Sequence, residues 1–522
     1  METVRALQKD PQVLFVEAGG SQGIWEVGSV ESVPKDKSFI DSLPLVKAKK
    51  VHEQEKGDSA IVAFIDDGID IFHETFWNEK RQTRIIGFYD LLTERKYTSD
   101  EINSCIYNRN KSDNIDALKN LGTSGIRSDG VREGGHGTCV ASIAAGRPVG
   151  SFQGGVAPES KIIVVKIDNA LPHSVSHGKA LKYIKQIAEE QNLPVVVNVS
   201  QGINSGAHDG DSNLEYEYER FMDLGKKPGF VVVKSAGNQQ NTKRHTKVAI
   251  ATHDDISWFS PVSAREEDKI QLWFNSINRF QFRLVSPNKE QSSLISRGKT
   301  AYARFESGNI YSITYRRHHQ ADRNTDSCLE IRINKGSANS ILRGFWKLEV
   351  QRESKSVSQG DIHAWIEVDS TGEIISFKDS DKEVTLTLPG TAHNVIPVGA
   401  VKIFEDNFRV TDISSWGPTR DQRRNKPCIV APGEDICVAL SGSRSGVCKA
   451  SGTSIAAPHV SGAIALILSS RHKQSSEMPC AAVIREEIQQ AMIEPGRNWH
   501  QGEGFGVLDV HRLFQNLVLE SY

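Results

Sequence analysis

The rhythm of hydrophobic and polar positions changes twice along the chain. Up to about residue 240, short apolar runs alternate with helical periodicity. Residues 61–65 (IVAFI), 162–167, 195–199 and 230–233 are continuous apolar stretches that read as buried strands. Between them, residues 179–190 place Leu181, Ile184, Ile187 and Ala188 on one face, which predicts an amphipathic helix. Residues 134–146 (GGHGTCVASIAAG) suit a close-packed helix, and residues 213–224 form another helical stretch. Strands alternating with helices predict an α/β domain with a doubly wound, mostly parallel sheet and right-handed crossovers.

From about 245 to 390 the helical period is lost. Short alternating stretches at 269–274, 280–285, 310–315, 329–333 and 346–350 are bounded by Gly, Ser, Asn or Pro. They predict an all-β sandwich inserted into the α/β domain. The first rhythm returns at 395–401, followed by a small-residue helix at 453–470 and an amphipathic helix at about 480–492. The expected organisation is an N-terminal extension or linker at 21–54, an α/β domain split into 55–244 and 391–522, and an insert at 245–390. A chain of 522 residues calls for such an extra module, because single cores stop growing near about 250–300 residues.

Composition removes several function classes. With 63 basic and 65 acidic side chains, no electrostatic footprint for nucleic acid or an acidic membrane stands out. No uninterrupted apolar run approaches the length of a membrane span. Residues 1–20 lack an apolar signal core, so a cytoplasmic location is expected, or a secreted one if the chain is trimmed. The 7 cysteines match no metal or disulfide spacing and read as buried thiols in a reducing compartment.

The candidate chemistry is acyl transfer. A serine hydroxyl needs a base to take its proton, a carboxylate to orient that base, and donors for the oxyanion. Asp66 ends an apolar strand, His136 opens a glycine-rich helix, and Ser454 opens another helix, whose N-terminus favours negative charge. Asn238, closing Ser235-Ala236-Gly237-Asn238 after a strand, offers an amide donor. The order Asp, His, Ser is one of the known orders of this triad.

These segments resemble the motifs of the subtilisin-like serine proteases. IVAFIDDGID is similar to their aspartate motif, GGHGTCVAS to their histidine motif, VVVKSAGN to their oxyanion-asparagine segment and ASGTSIAAPHVSG to their serine motif. Gly155-Val156-Ala157-Pro158, the strand at 198–202 and residues 414–433 fit as well. The likeness covers about 55–250 and 390–510. The stretches GFWKLEVQRESKSVSQGDIHAWIEV and VTLTLPGTAHNVIPVGAV resemble the jelly-roll insert and re-entry of the clostridial spore-germination (Csp-type) subtilases.

The resemblance implies a serine endopeptidase with Asp66, His136 and Ser454 as triad and Asn238 in the oxyanion hole. Ser200, Gln201 and Gly202 would pair with an extended protein or peptide substrate, and Ser235, Ala236 and Gly237 would line the specificity pocket with them. Their small size suggests a roomy, neutral pocket, a reading that Lys234 next door would alter. No cofactor, nucleic-acid or membrane partner is implied. The alternative, set by some Csp-type relatives, is a pseudoprotease or scaffold; the complete triad argues against it. Residues 1–17 resemble the end of an inhibitory propeptide, so 1–20 is read as a prosegment remnant, either trimmed or vestigial.

Several neighbours are expected to be structural. Asp67 reads as a supporting or turn residue, Asp70 as a turn carboxylate, and His73, His393 and His459 as packing groups. Cys139 stands where many members of the family have another histidine, and reads as a small buried hydrophobe or a thiol near the site. Thr75 stands where the family often has a calcium-binding aspartate, and 147–153 (RPVGSFQ) lacks acidic ligands. The usual strong calcium site is therefore expected to be missing.

Overall fold

The computed structural model describes residues 24–25, 29–32, 40–107, 135–249, 255–262, 265–317, 326–353, 360–367, 375–404, 407–492 and 498–519. The reading of 1–20 as a prosegment remnant lies outside them.

The sheet of the α/β part has nine strands. In chain order they are β1 (Ile61–Asp66), β2 (Ile85–Asp90), β3 (Arg95–Thr98), β4 (Lys161–Lys166), β5 (Val195–Val199), β6 (Phe230–Ser235), β7 (Ile396–Phe404), β8 (Asn407–Val410) and β9 (Ile429–Pro432). Their spatial order is β8-β7-β6-β5-β1-β4-β2-β3, with β9 also beside β7. The central pairs are parallel; only β3 on β2 and β8 on β7 run antiparallel. β1, β5 and β6 are buried along their whole length, as their unbroken apolar runs require of strands covered on both faces.

The principal helices are α1 (Gly135–Ala145), α2 (His173–Gln191), α3 (Asn213–Phe221), α4 (Thr453–Lys473) and α5 (Ala481–Met492). α4 alone among the described helices is long and apolar enough to cross a bilayer by composition, and its residues 453–470 are buried in the core. Small residues make that possible: a Cβ on Gly462 would stand 2.6 Å from Val156 and 3.0 Å from the Ala144 carbonyl of α1.

The insert consists of antiparallel sheets. A six-stranded sheet runs His245–Ala249, Asp361–Ile366, Glu267–Asn275, Asp326–Asn334, Ile310–Arg317, Thr300–Arg304. A four-stranded sheet runs Phe280–Val285, Gly344–Arg352, Asp255–Ser260, Ser376–Phe377. Ile270, Phe274, Ile313 and Ile331 of the first share one core with Trp258, Phe282, Trp346 and Leu348 of the second. Alternation of buried and partly exposed positions along Ile310–Arg317 is the signature of a strand with one face on that core.

The insert grips the α/β part through polar contacts. The Glu367 carboxylate accepts the backbone N–H groups of Asn204 and Ser205, both at 2.9 Å. Arg420 joins Asp209 (2.6 Å) to Asp326 of the insert. The Trp365 ring lies between His208 and His245, with centroids 4.1 and 4.8 Å away.

The 21–54 segment, expected as linker, also takes part. Ile24–Trp25 pairs antiparallel with Gln201–Gly202, and Ser29–Ser32 pairs antiparallel with Val447–Ser451.

Candidate active site

Asp66, Ser200 and the run Ser235 to Asn238 all lie at or just beyond the carboxyl ends of parallel strands, where open α/β sheets bind ligands. Asp66 closes β1 and is fully buried. Its Oδ1 lies 2.6 Å from His136 Nδ1 and also accepts the Asp67 N–H at 2.8 Å. A carboxylate there fixes the imidazole with its proton on Nδ1 and favours the imidazolium.

His136 is delivered by the first turn of α1. A Cβ at position 137 would stand 2.0 Å from the Gly68 carbonyl and 3.1 Å from Asp66 Oδ1, so only glycine lets the helix come this close. The Gly137 N–H donates to Asp67 Oδ1 at 2.8 Å, so Asp67 tethers the helix start. Asp70 accepts from the backbone of Phe72 (3.0 Å) and Gly442 (2.6 Å).

Ser454 is the second residue of α4, and it too is buried. Cys139 and Ile143 of α1 share an apolar cluster with Ile455, so the opening turns of the two helices pack together. Pro458 has no N–H to give the Ser454 carbonyl in the helical ladder. That carbonyl faces the Ser200 hydroxyl instead, at 3.5 Å. Ser200 is itself held by Asn198 Nδ2 at 2.9 Å.

Asn238 is half-buried, and its Oδ1 accepts from Thr453 N–H (3.1 Å) and Thr453 Oγ1 (2.9 Å). With Oδ1 on the helix, Nδ2 is the atom left for a ligand. Thr453 escaped sequence analysis; its place immediately before Ser454 was the available signal.

Gln201 Nε2 donates to Asn169 Oδ1 at 2.7 Å, and Gly202 is buried beside it. Ser235, Ala236 and Gly237 are buried, and the space over Gly237 is filled by Thr387 and Ser415, each with an atom 2.8 Å from a Cβ placed there. Thr387 had no sequence signal, since it lies about 150 residues away across the insert.

Of the structural neighbours, His459 Nε2 lies 2.7 Å from the Ser42 hydroxyl, and His73 Nε2 lies 2.9 Å from the Gly446 carbonyl. Cys139 is buried, and the adjacent Cys448 thiol together with burial pushes its pKa well up. A thiol in that state is a poor nucleophile.

Asp66, Asp67 and His136 form the one cluster of potential metal ligands among the described residues. Asp66 Oδ1 and His136 Nδ1 are engaged with each other, and Asp67 Oδ1 with the α1 backbone. At the position expected to lack a calcium ligand, Thr75 Oγ1 donates to the Arg147 carbonyl at 2.6 Å. The Arg84 guanidinium, buried nearby, donates to the carbonyls of Ser160 (2.7 Å), Thr75 (2.9 Å) and Ala145.

The model of the subtilase family matches residues 57–322 and 337–506, most of the chain. The chain belongs to the subtilase family. Among curated proteins, it is 25% identical over 451 residues to the C5a peptidase of Streptococcus pyogenes, covering 81% of this chain and 36% of that protein. It is 37% identical over 141 residues to the membrane-bound transcription factor site-1 protease of Mus musculus, covering 26% of this chain and 13% of that protein. The chain thus spans about a third of the length of the first of these relatives. Among solved structures, the CspB protease of Clostridium perfringens shares its fold with a TM-score of 0.78 at 24% identity, covering 92% of this chain and 100% of that one.

Proposed function

We propose that this subtilase is an active serine endopeptidase that hydrolyses protein or peptide substrates through an acyl-enzyme. The observation that carries the reading is the buried 2.6 Å contact between His136 Nδ1 and Asp66 Oδ1, which leaves Nε2 as the basic end of the ring. In the proposed cycle His136 Nε2 takes the Ser454 Oγ proton as Oγ attacks the scissile carbonyl. Asn238 Nδ2 and the Ser454 N–H receive the oxyanion. His136 then protonates the leaving amine, and water repeats the sequence to release the acid. The substrate strand lies antiparallel on Gln201–Gly202, as Ile24–Trp25 does.

The reading is tested by labelling with a fluorophosphonate probe. Wild type is expected to label and Ser454→Ala to remain blank. A folded wild type that takes no label would turn the assignment to the rival, a subtilase-like scaffold acting by protein binding.

A further inference from the structure

Three sheet edges of the insert carry further chain. In the four-stranded sheet, the edge strand Phe280–Val285 is met by the segment that follows it. Phe282 N–H reaches the Ile295 carbonyl at 2.9 Å, Ile295 N–H the Phe282 carbonyl at 2.8 Å, and Ser292 N–H the Leu284 carbonyl at 2.9 Å. At the opposite edge, Phe377 N–H meets the Lys243 carbonyl at 2.8 Å. In the six-stranded sheet, the edge strand His245–Ala249 receives the Asp381 N–H on the His245 carbonyl at 2.9 Å. Covers of this kind keep a sheet from pairing with another chain.

Thr300–Arg304, the other edge of the six-stranded sheet, has no such cover among the described residues. It lies antiparallel on Ile310–Arg317, from Thr300 opposite Thr314 to Arg304 opposite Ile310. The bonds to that neighbour fall on the odd-numbered residues: Tyr315 N–H reaches the Lys299 carbonyl at 3.0 Å, and Phe305 N–H the Asn309 carbonyl at 2.9 Å. Antiparallel alternation then turns the N–H and C=O groups of Thr300, Tyr302 and Arg304 to the open side. The strand has no proline, bulge or inward-pointing charge to blunt it. Ala301 and Ala303 rest on the core of the insert, while Tyr302 faces outward and is 71% exposed.

The strand is also its own complement. Laid antiparallel on a second copy with Tyr302 on the two-fold axis, Thr300 faces the other Arg304, Ala301 the other Ala303, and Tyr302 itself. The three residues with outward N–H and C=O groups all fall at hydrogen-bonded positions, where each pair exchanges two bonds. Neither basic residue meets a like charge, because Arg304 faces Thr300 and Lys299 faces Phe305. The two Tyr302 rings meet as a cross-strand aromatic pair. A slip of one residue would set outward groups against inward ones and break the match.

We propose that Thr300–Arg304 is a self-association surface, through which two copies of this chain join edge to edge and merge their six-stranded sheets into one. The proposal is independent of the protease reading. So short a pairing strand makes the dimer transient and concentration-dependent.

Sedimentation velocity on the 522-residue chain at about 1 to 200 μM tests the proposal. A reversible dimer with a Kd of about 10–100 μM is expected. Tyr302→Lys sets two like charges against each other on the axis and is expected to weaken the dimer at least about tenfold. Tyr302→Cys reads the register: the paired Cα atoms would stand about 5.5 Å apart, within disulfide reach, so mild oxidation is expected to yield a covalent dimer. In Arg304→Cys the two thiols would lie about 14 Å apart along the strands, and the chain is expected to stay unlinked. A wild type that is monomeric at every concentration would overturn the proposal. So would a dimer that Tyr302→Lys leaves intact, or equal cross-linking of the two cysteine variants.

Discussion

Asn238 and Thr453 are joined twice, through the backbone N–H and the hydroxyl of the threonine, and both bonds end on the same amide oxygen. The pairing turns a freely rotating side chain into a fixed donor beside the first turn of α4. A donor used mainly in the transition state changes the rate constant more than substrate binding. Asn238→Ala is therefore expected to lower kcat about 100- to 1,000-fold with KM nearly unchanged, the magnitude known for the oxyanion asparagine of a subtilisin. Thr453→Val removes one of the two bonds, and a loss of about tenfold is expected from looser orientation of the amide. Steady-state kinetics on any cleaved peptide measures both. A loss below about fivefold for Asn238→Ala would take it out of the mechanism.

Ile24–Trp25 lies on the proposed substrate strand, and Ser29–Ser32 lies along Val447–Ser451, just ahead of the serine helix. These two described stretches, on either side of residues 26–28, thus border the proposed site. Active protein is expected to cut itself between Trp25 and Ser29, and Ser454→Ala to stay whole. Intact-mass measurement of the two preparations decides this. Equal retention of the N-terminal segment would make it a structural arm.

The histidines at the insert boundary make stability depend on pH. Burial is the largest cause that pushes His245 to about 3 and His363 well below its ordinary value; His208 lowers both, and His245 is a further lowering influence on His363. Their facing nitrogens are 3.0 Å apart, and Lys247 lowers both while Arg420 bears on His363. Because the folded pKa values lie below about 6.5, the unfolded chain binds more protons beneath that pH. The stabilisation is complete above about pH 6.5 and is lost as pH falls towards 3, by up to about 1.4 kcal/mol per pH unit for each ring. Urea unfolding between pH 7 and 4.5 is expected to show this slope, and His363→Gln to reduce it. An unchanged slope in the variant would exclude the pair as its source.

The buried Arg84 guanidinium ties three main-chain carbonyls together around the loop that follows α1. Burial lowers its pKa to about 9, which keeps it charged near neutrality. Removing the guanidinium strands these acceptors. Arg84→Met is expected to destabilise the fold by about 3 kcal/mol or more. A chelator is expected to leave the melting temperature of wild type nearly unchanged. A fall of many degrees on chelation would reveal a metal site elsewhere in the chain.

Much of the α/β part was legible because its signals are local. An apolar run ending in Asp66 is enough to place a carboxylate at a strand terminus, and Gly137 beside His136 announces a close approach. The serine motif carried its own helix start. The contacts that shape the pocket were not legible. Thr387 meets Gly237 across the insert, and the paired strands at 24–25 and 29–32 take their partners from Gln201–Gly202 and Val447–Ser451. Pairings between residues so far apart leave no periodicity in either partner. Lys234 was visible as a residue but not as a direction, because only packing decides whether a strand lysine turns to solvent or inward.

The insert leaves and re-enters through a closed neck. Phe377 N–H meets the Lys243 carbonyl at 2.8 Å, Asp381 N–H the His245 carbonyl at 2.9 Å, and Thr387 N–H the Ala236 carbonyl at 3.0 Å. For the folding α/β part, a sandwich that has already folded shortens this excursion to a tight hairpin-like loop, so joining β6 to β7 need not close a coil of more than a hundred residues. The order of events on the ribosome follows. The sandwich is synthesised ahead of the serine half and, once condensed, eases its docking, and Ser454 reaches Asp66 and His136 only after the whole module between them has been made.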